Sequence, residues 1–92
     1  MVARPQAPAV DVSTLRITRR LGATPQERGS ANNCSCPDIF ELADGRFAVI
    51  GTDLTTELNG ILPADASRAH YERIVVITRE TLLRAKVDIP DL

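Results

Sequence analysis

Apolar and polar positions alternate most clearly over residues 38–51, Asp-Ile-Phe-Glu-Leu-Ala-Asp-Gly-Arg-Phe-Ala-Val-Ile-Gly, which predicts two strands folded back on each other. Asp44-Gly45 sits between them. That dipeptide favours a two-residue turn with positive φ at both positions. Counting outward from it pairs Ala43 with Arg46, Leu42 with Phe47, Glu41 with Ala48 and Phe40 with Val49. Phe40, Leu42, Phe47 and Val49 then share one face, which another element must cover. The opposite face carries Glu41, Ala43, Arg46 and Ala48 and ends in an Ile39–Ile50 pair.

Downstream, Leu54, Leu58, Ile61 and Leu62 recur at helical spacing behind Thr52 and Asp53, which offer an N-cap. Gly60 weakens this helix near its end and Pro63 prevents its continuation. It is the expected roof of the hairpin. Residues 72–78 contain Ile74-Val75-Val76-Ile77, a β-branched run suited to a central strand buried on both faces. Thr78 then caps a last helix, with Glu80 in its first turn, Arg84 and Lys86 near its end, and an apolar side of Leu82, Leu83, Ala85 and Val87. Upstream, residues 11–20 read as a short strand or loose arm with Leu15 and Ile17 on one side, although Asp11 or Ser13 suits a helical cap. Residues 1–9 read as disordered, and 22–33 as a linker rich in Gly, Ser, Asn and Pro. The expectation is an α+β fold with a small three- or four-stranded sheet in the order β-β-α-β-α. A flexible basic N-terminal arm and linker, residues 1–34, precedes a single small domain, residues 35–92.

Composition adds a constraint on stability. Two Phe, one Tyr and no Trp leave the core to aliphatic side chains. A domain of roughly 60 residues buries only about 60% of its unfolded surface and is marginal alone. A homodimer is the expected remedy. The net charge of −1 is unevenly spread. Residues 1–36 hold five arginines against Asp11 and Glu27, while the acidic residues outnumber the basic ones from 37 onward. An acidic body argues against wrapping nucleic acid with the domain itself. No apolar run reaches signal-peptide or membrane-span length, so a cytoplasmic protein without membrane attachment is expected.

Candidate chemistry is sparse. Cys34 and Cys36 are too close for an unstrained disulfide and read first as buried reduced cysteines at the entry to the sheet; a redox or thiol role, or half of a zinc site that only a dimer could complete, are the other readings. His70, with Ser67 three residues earlier, is the sole imidazole and a candidate general base, though a solvated loop residue explains it as well. Asp53 and Glu57, four apart, suit paired acid–base carboxylates or a capped, solvated helix face. Arg16, Arg19 and Arg20, with Arg4 and Arg28, form the candidate arm for a partner or for phosphates. Neither G-x-G-x-x-G nor a Walker sequence occurs. No catalytic residue, cofactor or metal is assigned, and the chain is expected not to be an enzyme.

Asn33-Cys34, Asp44-Gly45, Phe47-Ala48-Val49 and Ile74-Val-Val-Ile-Thr78 leading into Glu80 and Leu82 resemble the BldB developmental-regulator family of small actinobacterial proteins. Cys36-Pro-Asp38 and Phe47-Ala-Val-Ile-Gly51 are similar to short Streptomyces members of unknown function. The resemblance spans residues 33–86. The family's Trp-Arg-Lys-Ser-Ser opening is absent, and Leu82 stands where the family has Trp. The resemblance implies a non-enzymatic, dimeric regulatory protein that acts by protein–protein interaction with a helix-turn-helix transcription regulator. Direct nucleic-acid binding through the arginine arm, or a metal-bridged dimer through Cys34 and Cys36, are the alternatives.

Overall fold

In a computed structural model of the chain, residues 11–24 and 37–91 are described. An antiparallel sheet contains β1 (Ile17–Arg20), β2 (Asp38–Leu42) and β3 (Phe47–Ile50), with β2 in the centre. A separate antiparallel ribbon pairs β4 (Thr52–Asp53) with β5 (Val75–Val76). Two short helices complete the fold: α1 (Thr55–Asn59) and α2 (Arg79–Ala85), the second running into a 3-10 turn at Lys86–Asp88. Another 3-10 turn, Val12–Thr14, precedes β1 and is capped by the Asp11 carboxylate.

The architecture is α+β with a three-stranded sheet, as the sequence predicts, but the third strand has a different origin. It comes from residues 17–20, within the span assigned to the N-terminal arm, and not from residues 72–78. β1 is bound to β2 by cross-strand pairs Ile17–Leu42, Arg19–Glu41 and Arg20–Phe40, and the following Leu21 donates its N–H to the Ile39 carbonyl at 2.8 Å.

The hairpin forms where predicted, with a register displaced by one residue. Asp38 faces Ile50, Ile39 faces Val49, Phe40 faces Ala48 and Glu41 faces Phe47. The loop has three residues, not two. Leu42 accepts from the Gly45 N–H at 3.0 Å, and its own N–H donates to the Arg46 carbonyl at 2.8 Å. Only Gly45 has positive φ, at +90°; Asp44 does not. The Asp44 carboxylate instead accepts from the Arg46 N–H at 3.0 Å and its Nε at 2.9 Å, a local contact that holds Asp44 in ordinary turn geometry. This is the alternative hairpin closure, a turn followed by one left-handed glycine. One step of register transfers side chains between faces. Phe47 and Val49 therefore lie with Ile39 and Glu41, and Phe40 and Leu42 lie with Ala48 and Ile50.

The core is thin: Leu21, Ile39 and Ala85 are buried, with Ile77 packed against them. It sits between β2 and α2, so the sheet is roofed by the last helix and not by the segment opening at Leu54. α2 also presents an unexpected side. Thr81 and Ala85 face inward, whereas Leu82, Leu83 and Val87 are exposed. The reason is proximity. A Cβ on Gly22 would stand 2.9 Å from the Ala85 nitrogen, so strand and helix backbones nearly touch and only small side chains fit between them. Capping by Thr78 occurs as predicted, its hydroxyl accepting from the Thr81 N–H at 3.1 Å, and Glu80 pairs with Arg84 at 3.0 Å.

The β-branched run at 74–77 is not a central strand. Only Val75 and Val76 pair, both exposed, against the two residues of β4. The ladder stops at Ile74, whose N–H is taken by the Thr55 hydroxyl at 2.8 Å. The Arg68 side chain meanwhile captures the Ala69 and Glu72 carbonyls, keeping the preceding residues in a loop. α1 is correspondingly short, leaving Ile61 exposed.

Candidate functional site

An open polar cleft of about 300 Å³ lies between the start of α1 and the loop before β5, lined by Asp53, Thr55, Glu57, Arg68, His70 and Arg73 among others. The fold thus brings together three residues singled out from sequence, Asp53, Glu57 and His70, while Ser67 is not part of the lining. Two guanidinium groups complete the cleft, and no spacing rule pointed to them. Arg68 is anchored by Asn59 Oδ1 at 3.1 Å and the Glu72 carbonyl at 3.0 Å. Arg73 donates to the His70 and Glu72 carbonyls, both at 2.9 Å.

Asp53 accepts from the Thr55 hydroxyl at 2.6 Å and the Thr55 N–H at 3.0 Å. The hydroxyl contact, then the amide contact, hold the Asp53 carboxyl below its ordinary value, with weaker help from Arg73 and Arg68. An acid shifted downward is a poor proton acceptor near neutrality. The expected cap at Thr52 or Asp53 does not form: Leu54 occupies the N-cap position without a side-chain capping bond, and Asp53, one residue earlier, holds Thr55 in a local turn ahead of α1.

Asp44 is lowered similarly, first by the side-chain bond from Arg46 and then by its backbone N–H. Asp11 is lowered by Ser13. A carboxyl depressed in the folded state stabilises the fold above its unfolded pKa and loses that contribution as pH falls through the folded value. Thermal stability is therefore expected to decline as pH drops below 3.8, the ordinary value for these groups. Asp44→Asn and Asp53→Asn should each flatten that decline in circular-dichroism melts. Because these groups are solvent-exposed, added salt should weaken the effect.

The three arm arginines fare differently. Arg19 pairs with Glu41 at 2.7 Å and donates to the Asp88 carbonyl at 2.6 Å, tying β1 to β2 and to the turn after α2. Arg20 pairs with Asp38 at 2.9 Å, whose side chain is only 7% exposed, and lies 5.2 Å from the centre of the Phe40 ring. Two of the three guanidiniums thus serve within the fold. The Arg16 carbonyl accepts from the Ala43 N–H at 2.8 Å. Arg4, Arg28, Cys34 and Cys36 lie outside the described residues. Among the described residues, no group of three or more His, Cys, Asp or Glu is placed to hold a metal ion, and no helix is long and apolar enough to cross a membrane.

The larger feature is apolar. With α2 on the Ile39 side, the other face of the sheet carries Ile17, Phe40, Leu42, Ala48 and Ile50, the middle three half-buried, together with the Arg20–Asp38 ion pair, whose guanidinium lies over Phe40. Its margins are open: Ile17 is 61% and Ile50 55% exposed. Sequence reasoning missed this surface because the one-residue register shift creates it. Comparison of the chain with protein-family models, curated proteins and solved structures yields no match.

Proposed function

We propose that this chain is a small non-enzymatic regulatory protein that acts by docking a protein partner on the outer face of its three-stranded sheet. The supporting observation is the row Ile17, Leu42, Phe40 and Ile50 on the sheet face away from the roofing helix, exposed at Ile17 and Ile50 and bordered by the Arg20–Asp38 pair. Large apolar side chains left exposed on one sheet face of a small chain, rimmed by charged residues, mark an interaction site. The resemblance to the BldB family supports the finer parts of the reading: a dimer in the cytoplasm, with a helix-turn-helix transcription regulator as partner. Nucleic-acid binding through the arm is the weaker reading, because Arg19 and Arg20 are engaged by Glu41, Asp88 and Asp38.

Affinity capture from an actinobacterial extract tests this, comparing the wild type with Ile17→Lys, an exposed position whose side chain can change without emptying the core. A helix-turn-helix regulator should be enriched by the wild type and reduced at least tenfold by the variant. Enrichment of no regulator, or equal retention by the variant, overturns the reading.

A further inference from the structure

The sheet has two outer edges of unequal character. β1 carries Arg19 and Arg20 and a bulge where its register shifts between Ile17 and Arg19. Charges and bulges block the addition of another strand. The other edge, β3, reads Phe47-Ala48-Val49-Ile50, with neither charge nor proline and with a regular register to β2.

The hydrogen-bonding direction along β3 follows from the hairpin. The Leu42–Arg46 bond, with pairs Phe40–Ala48 and Asp38–Ile50, turns the backbone groups of Arg46, Ala48 and Ile50 toward β2. Alternation then points the N–H and C=O of Phe47 and Val49 away from the sheet. Among the described residues, neither has a hydrogen bond to another partner. The ribbon does not close this edge. β4 and β5 pair only with each other as a separate two-stranded sheet, and β5 crosses at Gly51, where a Cβ would stand 2.6 Å from the Val76 carbonyl oxygen, with Ile77 packed against the core cluster.

We propose that two copies of the chain join β3 to β3, antiparallel about a twofold axis at Ala48, as one six-stranded sheet. The register is set by the unpaired groups. Phe47 exchanges both its hydrogen bonds with Val49 of the partner subunit, and Val49 does the same with Phe47 of the partner subunit. A second copy thus satisfies all four groups, which is the self-complementarity a twofold interface requires. Ala48 meets its own copy in the non-hydrogen-bonded position, where Cα atoms approach to about 4.5 Å and a small side chain fits. Phe47 lies beside Val49, an aromatic and β-branched cross-strand pair made from two residues that are each 44% exposed in the single chain. A four-residue edge falls short of the roughly 800 Å² per partner of a standard interface, so the dimer dissociates on dilution. This deepens the reading of the chain as an interaction protein and rests on it, since pairing sets two outer apolar faces side by side.

Val49→Pro removes an outward N–H and leaves the bonds to β2 intact, a position where an edge strand accepts proline. By sedimentation, the wild-type mass should double between low and high micromolar concentration. Val49→Pro should remain a single chain with an unchanged circular-dichroism spectrum. In a Cys34→Ser, Cys36→Ser background, Ala48→Cys should cross-link to its copy on mild oxidation, whereas Phe47→Cys should not. A wild type that stays monomeric, a Val49→Pro protein that dimerises equally, or a Phe47→Cys protein that links as readily as Ala48→Cys overturns the proposal. The two readings fail separately. Capture of the regulator by a chain that never doubles its mass sinks the dimer alone, and a doubling mass without capture sinks the docking function alone.

Discussion

Gly22→Ala is expected to destabilise the chain by about 3 kcal/mol or more, enough to unfold much of the population. Gly22 has φ of +83°, where a side chain costs roughly 1–2 kcal/mol before any contact is considered. Its added Cβ would also meet the Ala85 nitrogen and the Arg84 carbonyl carbon at 2.9 Å, and the Arg84 oxygen at 3.0 Å. These are backbone atoms of α2, so no rotamer change relieves the clash and the helix itself must move. Moving it strains the 2.7 Å bond from the Gly22 N–H to Asp88 Oδ2 and opens the Leu21–Ile39–Ala85 cluster. Gly60→Ala is the matched control. Gly60 has ordinary helical φ and open space around its missing Cβ, so that substitution should be neutral or slightly stabilising. Thermal and urea melts of the two variants provide the measurement. A loss below about 1 kcal/mol for Gly22→Ala would mean that α2 does not rest on Gly22.

The contrast between those two glycines shows what the sequence could and could not convey. Both read simply as breaks in a pattern; only the docking of a helix 60 residues away makes one of them indispensable. Features written in local chemistry were legible: the hairpin at 38–51, though not its register, the Thr78 cap, and the placement of Glu80 in the first turn and Arg84 in the last turn of α2. Features decided by distant contacts were not. Residues 11–20 did read as a short strand or a loose arm, but the strand's place was not visible: β1 pairs with the second edge of β2, where Glu41 and Asp38 receive Arg19 and Arg20. Leu82 and Leu83 suggested the inward side of α2, yet the short distance between backbones admits only Thr81 and Ala85. In the polar cleft, the Asp53–Glu57 spacing was legible. Arg68 and Arg73 join it only because their side chains fold the loop by binding its carbonyls.

Ile39→Ala and Phe47→Ala together decide the hairpin register. With a two-residue turn, Phe47 would share the face of Phe40 that another element covers, and Ile39 would lie on the opposite face. The three-residue loop closed by Gly45 places Ile39 under α2 and leaves Phe47 44% exposed. Truncating a buried isoleucine costs about 2–5 kcal/mol through lost transfer energy and the cavity left behind. Here few neighbours are available to collapse into the space, since Leu21 and Ala85 are the other buried apolar residues among those described. Ile39→Ala should therefore fall near 3 kcal/mol, whereas Phe47→Ala, losing half-solvated surface, should cost about 1 kcal/mol or less. Both must be measured at concentrations low enough to keep the chain monomeric, because Phe47 also contributes to the edge that pairs with a second copy. If Phe47→Ala proves the more damaging of the two under those conditions, the register drawn from Gly45 is wrong. The outward faces of the sheet and the unpaired groups on β3 would then have to be reassigned with it.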